Sequence, residues 1–367
     1  MSAKAEAKDL VIVGAGPAGC AAAITALRRG GTAVLIESKK QRPPRPCSGW
    51  LGPAAVALAE ELGVSEQAAG ARRFQGVQLH SWDLRQSAAL TDKALQGWVV
   101  DRAQFDAALL DAAVETGATL RAGAARDVDL GEDQVRVTYG SGKAADGRLL
   151  LIADGAQSVI AGAAKLVAAG RLPEARPMLL AESACSHESV ELHVAVGASR
   201  AGQLATIVRL PDRVRVAVAT GESEPSPAQQ FHTFVAAARD RGLLPADLDL
   251  RPIELRTPAG LALDIDTHVG KRCLLIGDAG GFVSAFSNEG LYPAMRSGCI
   301  AAETALDALK ATHPQDALAE FGVRWRTELA DYLRMPNTDL ALLMPLVFNN
   351  PQMSLRVGLA FLLGQQF

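Results

Sequence analysis

Apolar positions along the chain fall into short runs of two kinds. Residues 10–13, Leu-Val-Ile-Val, form a compact β-branched run; 17–29 is Ala-rich with helical spacing; 33–36 is a second apolar run closed by Glu37. That order reads as strand, helix, strand. A crossover of this length predicts a right-handed parallel unit with helices over both faces of its sheet. Residues 38–53 hold Pro43, Pro44, Pro46 and Pro53 and read as a long irregular loop. Further along, 74–80 reads as a strand, 102–116 as an amphipathic helix, and 134–139 with 148–152 as a hairpin turning at 140–142. Alternating runs at 190–196, 204–210 and 213–219 predict an antiparallel sheet. The stretch 272–276 returns to a buried-strand pattern, and helical spacing follows residue 300.

At 367 residues the chain has room for two domains or one large discontinuous one. Lys and Arg number 37 against 40 Asp and Glu, for a net charge of −3, with 49% hydrophobic and 21% charged residues. This composition excludes a disordered chain and a basic nucleic-acid binder. Aromatics are only 5% and alanine is abundant, so close helix packing is expected. Cys20, Cys47, Cys185, Cys273 and Cys299 are odd in number and contain no C-x-x-C, which suggests neither a disulfide framework nor zinc and fits a reducing, cytoplasmic setting. All but Cys47 fall in helix or strand patterns and read as buried structure. The apolar run after Lys4 and Lys8 is too short for a signal-peptide core, and no stretch of about 18 uncharged apolar residues predicts a membrane span. The apolar stretches 340–348 and 351–367 lack the Lys/Arg-rich face of a membrane-surface helix; packing onto the first domain is the preferred reading, and peripheral membrane contact the lesser one. His187 and His193, six apart on a strand pattern, would face the same side, but without an acid at metal spacing no metal site is expected.

The chemistry is carried first by Gly14-Ala15-Gly16-Pro17-Ala18-Gly19, a G-x-G-x-x-G between strand and helix, with Glu37 ending the next strand. The first Gly turns the chain, the second admits a pyrophosphate against backbone, the third lets the helix pack closely, and the helix N-terminus favours negative charge. Glu37 would accept hydrogen bonds from a ribose and disfavours a 2′-phosphate, so FAD or NAD suits this site better than NADP. Gly140-Ser141-Gly142-Lys143 lacks the remaining features of a P-loop and reads as a turn.

The glycine motif, Asp101-Arg102 with Phe105-Asp106, Ala153-Asp154-Gly155 with Ser158, and Gly277-Asp278-Ala279 occur in an order that resembles flavoproteins of the p-hydroxybenzoate hydroxylase type. Within them, Arg45-Pro46-Cys47-Ser48-Gly49-Trp50-Leu51 and the run from Gly277 to Tyr292 resemble the geranylgeranyl reductase family. The resemblance implies an α/β fold: a Rossmann-type FAD-binding domain, a discontinuous antiparallel β-sheet substrate domain and C-terminal helices. The expected division is 1–80, 98–177 and 257–310 for three parts of the FAD-binding domain, 81–97 for an insertion towards the substrate domain, 178–256 for that domain and 311–367 for a C-terminal helical region. It implies that Gly14, Gly16 and Gly19, with Pro17 and Ala18, and Glu37 with Ser38 hold the ADP half of FAD. Arg45, Cys47 and Ser48 would lie near the flavin ring, Arg102 along the cofactor, Asp154 and Gly155 between the FAD and nicotinamide sites, and Asp278 at the ribityl chain. Asn288, Glu289, Gly290 and Leu291 would open a helix whose N-terminus faces the flavin and stabilises negative charge on its reduced form. Competing structural readings are a surface ion pair with Asp106 for Arg102 and an N-cap for Asp278. Ala285 and Asn288 replace Pro and Gly common among relatives, and Ala161 stands near where an Arg often follows.

The leading reading is an FAD-dependent reductase of a carbon-carbon double bond in an apolar, lipid-like small molecule, with NAD(P)H as electron donor. Cys47 is its candidate proton donor, although lining a pocket is the more frequent role for such a thiol. The alternative is an FAD-dependent monooxygenase of a small-molecule substrate; a non-redox flavin protein or cyclase stands behind both. Trp50, Trp82, Trp98 and Trp325 include no pair two apart, so the halogenase signature W-x-W-x-I-P is absent. The sequence leaves oligomeric state open.

Overall fold

The computed structural model describes residues 7–38, 47–166, 176–197, 203–220, 225–258, 260–337, 343 and 346–366. Strand Lys8–Val13 pairs in parallel with Ala33–Glu37 on one side and with Lys143–Ile152 on the other. Thr119–Ala122 and Cys273–Leu275 extend this sheet, also in parallel. Helix Pro17–Arg28 begins with proline at its first position and buries almost its whole length, Cys20 to Ile24 being sealed from solvent. Its small side chains let helix Leu291–Ala308 lie close against it through Ala301, Ala302 and Ala305, the tight packing that the alanine content predicted.

The hairpin differs from expectation. Val135–Tyr139 pairs with 143–147, not with 148–152, because the tight turn places Tyr139 opposite Lys143. The continuation of the same ten-residue strand enters the parallel sheet between Lys8–Val13 and Cys273–Leu275.

A second sheet runs in the order Ile253–Thr257, Arg176–Ala184, Arg213–Ala219, Leu204–Leu210, Glu191–Val196, Val77–Ser81, Ser87–Leu90. Its centre is the antiparallel set read from the sequence. Val77–Ser81, placed by that reading in the first part of the FAD-binding domain (1–80), pairs here in parallel with Glu191–Val196. The single strand expected over 74–80 is broken at residues 75–76, and Arg72–Phe74 joins a small separate sheet with Gly97–Val99 and Trp50–Leu51. The reason is burial: Val77 and Leu79 complete a core with Leu192 and Val194, which a continuous strand in the first sheet could not reach.

One face of the second sheet is covered by helix Pro227–Asp240 through Phe231, Phe234 and Val235. Its opposite face meets helix Pro351–Leu363, whose Phe361 lies 5.0 Å from Trp50 and 6.0 Å from Phe286 between ring centroids. For the stretch 351–367 this differs from the preferred reading, since Val357 and Phe361 enter the core of the second sheet, whereas helix Glu320–Leu333 does pack in the first core through Phe321 and Trp325. Of the apolar stretch 340–348, residues 340–342, 344 and 345 lie outside the described residues. Among those described, no helix is long and apolar enough to cross a membrane. Cys20, Cys273 and Cys299 are buried, as read, but Cys185 lies beyond the end of its strand and is half-buried.

His187 lies outside strand Glu191–Val196, so it does not share that strand's face with His193 as expected. His193 instead joins a buried relay. Its Nε2 donates to Glu191 at 3.0 Å, which leaves Nδ1 to accept from Nε2 of His80, also at 3.0 Å. Arg209 donates to the same Glu191 oxygen at 2.8 Å. Burial, with the neighbouring His193 and Arg209, pushes His80 down to about 4, and burial pushes His268 down to about 4 as well. Both are neutral when folded, so the unfolded chain binds more protons between pH 6.5 and 4. The stability they confer is present above pH 6.5 and is lost as pH falls towards 4. Denaturant titrations should show a loss of about 3 kcal/mol per histidine across that window, and a His80→Asn, His268→Asn variant should have a visibly flatter pH slope.

Candidate functional site

Gly14 turns the chain with φ of +99°, and a Cβ there would lie 2.2 Å from the carbonyl oxygen of Ala153. A Cβ on Gly19 would lie 1.9 Å from the carbonyl oxygen of Gly14, so the first helix rests directly on the turn. That helix starts at Pro17 with no side-chain cap, leaving its first-turn N–H groups without a side-chain acceptor, and Gly16 faces open space. Glu37 braces the turn by accepting from the Ala15 N–H at 3.0 Å, and its other oxygen accepts from the Ser38 hydroxyl at 3.4 Å.

A cavity of about 330 Å³ opens beside this turn and runs between the two sheets. Gly14, Gly16, Pro17, Ala18, Glu37 and Ser38 line one part of it; Cys47, Ser48, Arg102, Asp154 and Gly155 line its walls; Asp278, Asn288, Glu289, Gly290 and Leu291 complete it. Sixteen of the positions named from the sequence thus meet in one space. Gly19 is not among them, because its role is to let the helix approach the turn. Arg45 lies outside the described residues.

Arg102 is no surface ion pair. Its side chain is 17% exposed and that of Asp106 1%, with 3.1 Å between them. Asp101 caps the same helix by accepting from the N–H groups of Ala103 and Gln104. Burial works against the charge of Arg102, but Asp106 and Cys47 outweigh it, and a hydrogen bond links Arg102 to the Cys47 thiol. The fold thus gives Cys47 a partner, Arg102, from outside its own loop. Cys47 Sγ also accepts from the Gly49 N–H at 3.3 Å.

Glu289 departs from the simple picture of a helix N-terminus open to a flavin. One carboxylate oxygen accepts from the N–H groups of Leu291 and Tyr292 at 2.8 and 2.9 Å, and the other accepts from the Tyr332 hydroxyl at 2.8 Å. Its charge therefore sits on the end of the helix dipole that was expected to serve the cofactor. Burial pushes Glu289 up, against the lowering effect of these donors. Asp278 lies inside a short turn, Gly277–Gly280, that has no side-chain cap, so the N-cap alternative does not hold. His268, which the sequence reading missed, donates from Nε2 to the Gly280 carbonyl at 2.8 Å and packs on Phe282 and Trp325, fixing this turn from behind.

The far wall was also missed: Trp50, Met178, Leu204, Thr206, Ala217, Ala219, Thr257 and Pro258. Alternation revealed that the strands have two faces, but only the fold shows which face looks at the glycine turn. Arg215 ties this wall to the Cys47 loop, donating to Glu182 at 2.8 Å and to the carbonyl oxygens of Ser48 and Val100 at 2.8 and 3.3 Å.

The residues fit a flavin dinucleotide. The uncapped helix and open Gly16 make a phosphate cradle. Asp154 Oδ1 and Asn288 Nδ2, both of cavity-lining residues, are buried without a partner among the described residues, as groups awaiting a polar ligand would be. Burial raises Asp154, although Ser158 and the Ile160 N–H oppose it. Among the described residues no cluster of three or more His, Cys, Asp or Glu is arranged to hold a metal.

A Rossmann-type glycine turn facing an antiparallel sheet across one cavity defines an FAD-dependent oxidoreductase. The chain belongs to the family described as FAD binding domain, whose model matches residues 7–317. It is 27% identical over 352 residues, 89% of this chain and 84% of the relative, to a digeranylgeranylglycerophospholipid reductase of Methanocaldococcus jannaschii. A menaquinone reductase of Mycobacterium tuberculosis is 32% identical over 158 residues, 42% of this chain and 39% of that protein. The fold is shared with a geranylgeranyl bacteriochlorophyll reductase-like protein from Thermoplasma acidophilum, with a TM-score of 0.75, 16% identity and coverage of 98% of this chain and 97% of that one.

Gly14→Ala places a methyl group against the Ala153 carbonyl at a backbone conformation that costs about 1–3 kcal/mol for a non-glycine residue. If that strain is relieved when the cofactor leaves, FAD titrated into the apo-form of the variant should bind about 5- to 150-fold more weakly than to wild type, as read by quenching of flavin fluorescence.

Proposed function

We propose that the protein uses electrons from NAD(P)H to reduce a carbon-carbon double bond of an apolar, lipid-like small molecule. The observation that carries this reading is the cavity itself: the FAD-fitting residues run without a break into an apolar wall, and Cys47 stands at the junction with Arg102 beside it. The reductase-named relatives support it.

Bound FAD, once reduced, supplies the hydride. The protein's part is to orient the acceptor, exclude water and supply the proton. Met178, Leu204, Ala217 and Ala219 would hold an apolar acceptor against the flavin-binding side of the cavity. The Cys47 thiol would give its proton to the alkene carbon that does not receive hydride, and the guanidinium of Arg102 would stabilise the thiolate left behind until solvent reprotonates it. Asn288 and Asp154 would present their unpartnered polar atoms to the cofactor. Arg45, two positions before Cys47 in sequence, is the further candidate cofactor contact, and Ser48 belongs to the segment held by Arg215.

The reading is tested by reducing the FAD-loaded enzyme with NADPH or NADH under argon and mixing it with prenyl alcohols, menaquinone or other conjugated alkenes. Return of the oxidised-flavin absorbance together with a product in which one carbon-carbon double bond has gained two hydrogens supports it; conversion of menaquinone to its quinol alone does not. Reoxidation by oxygen alone, with a hydroxylated product, replaces it by a monooxygenase. Cys47→Ala should slow the acceptor step by about 10²–10⁴-fold, far more than it slows flavin reduction.

A further inference from the structure

The sheet wall of the cavity is apolar along its central strands with one exception. Leu204, Met178, Ala217 and Ala219 offer it no hydrogen-bonding side chain. Thr206 is 3% exposed, and its hydroxyl oxygen is buried without a hydrogen-bond partner among the described residues. The register explains why. Thr206 stands opposite Val194 on one neighbouring strand and Ala217 on the other, and neither can answer a hydroxyl. Strand alternation turns Ala205 and Ile207 towards helix Pro227–Asp240 and leaves Thr206 with Leu204 on the cavity side.

Valine would fill this place with the same branched shape and nearly the same volume. Threonine gives up the hydration of its hydroxyl on folding and recovers nothing from the protein, which is a net cost. A ligand oxygen in the cavity would remove that cost.

We propose that Thr206 determines acceptor specificity: its hydroxyl donates to an oxygen carried within an otherwise apolar, unsaturated molecule. The pocket then prefers an acceptor with a hydroxyl, ether or carbonyl oxygen over the bare hydrocarbon. This rests on the reductase reading for what occupies the pocket, while the hydrogen bond itself is testable by binding alone.

The probes are farnesol and farnesene, which share a carbon skeleton; farnesene lacks the oxygen and has one further double bond, a difference that cancels when the preference is compared between variants. Both are titrated into the FAD-loaded protein and followed by perturbation of the flavin absorbance. The preference for farnesol over farnesene should be about tenfold greater in wild type than in Thr206→Val, and Thr206→Ser should keep most of it. Thr206→Ala serves as the second hydroxyl-free variant if valine does not retain FAD. An unchanged preference in the hydroxyl-free variants, or wild-type protein that does not bind farnesol, overturns the proposal. Loss of FAD from both hydroxyl-free variants with Thr206→Ser intact also overturns it, by assigning the hydroxyl to the cofactor. Failure of the reductase reading registers separately, as wild-type protein that reduces no double bond while the binding ratio remains measurable.

Discussion

The guanidinium of Arg215 is buried where the antiparallel sheet meets the loop that carries Cys47, and a buried cation must be paired and hydrogen-bonded to be tolerated. Glu182, directly across the strand pair, supplies the charge, while the carbonyl oxygens of Ser48 and Val100 supply acceptors from the other side of the seam. A Cβ on Gly49 would lie 2.3 Å from the guanidinium, so the loop is drawn against it without room for a side chain. Removing Glu182 would leave that guanidinium without its counter-charge. This junction holds Ser48, and with it the neighbouring Cys47, against the sheet.

On the opposite side, backbone geometry does comparable work. The first helix rests on the glycine turn, and the strand Lys143–Ile152 delivers Ala153, Asp154 and Gly155 beside it. Helix Leu291–Ala308 packs on the first helix and brings its own N-terminus to the same space, where Glu289 and Tyr332 occupy the helix end. His268 supports the Gly277–Gly280 turn from the core. Segments far apart in sequence thus converge, the two helices because their alanine-rich faces allow close approach and the strand through its parallel pairing.

The two walls of the cavity differ in kind. The wall nearest the glycine turn offers backbone N–H groups, an arginine, carboxylates and an amide; the sheet wall offers apolar surface around the unpartnered hydroxyl of Thr206, with Thr257 on the edge strand. Such an arrangement sets the polar wall that fits a charged cofactor against an apolar one. Arg102 and Cys47 stand where the two meet.

The sequence alone was enough for the dinucleotide turn, since Gly14, Gly16, Gly19 and Glu37 act through local backbone constraints and a fixed strand-helix-strand spacing. It was enough also for the central antiparallel strands, whose alternation is a local pattern. Long-range pairing was not legible: which sheet takes Val77–Ser81, where the strand after residue 143 continues, and which core receives Phe361 depend on surfaces assembled only when the chain closes. The same holds for Arg102 beside Cys47, for His268 behind Gly280 and for Thr206 facing the cavity. Each is an ordinary residue in its own segment and gains its role from neighbours on other elements of the fold. Local sequence dictates turns, caps and faces, whereas burial against distant elements decides what each face meets.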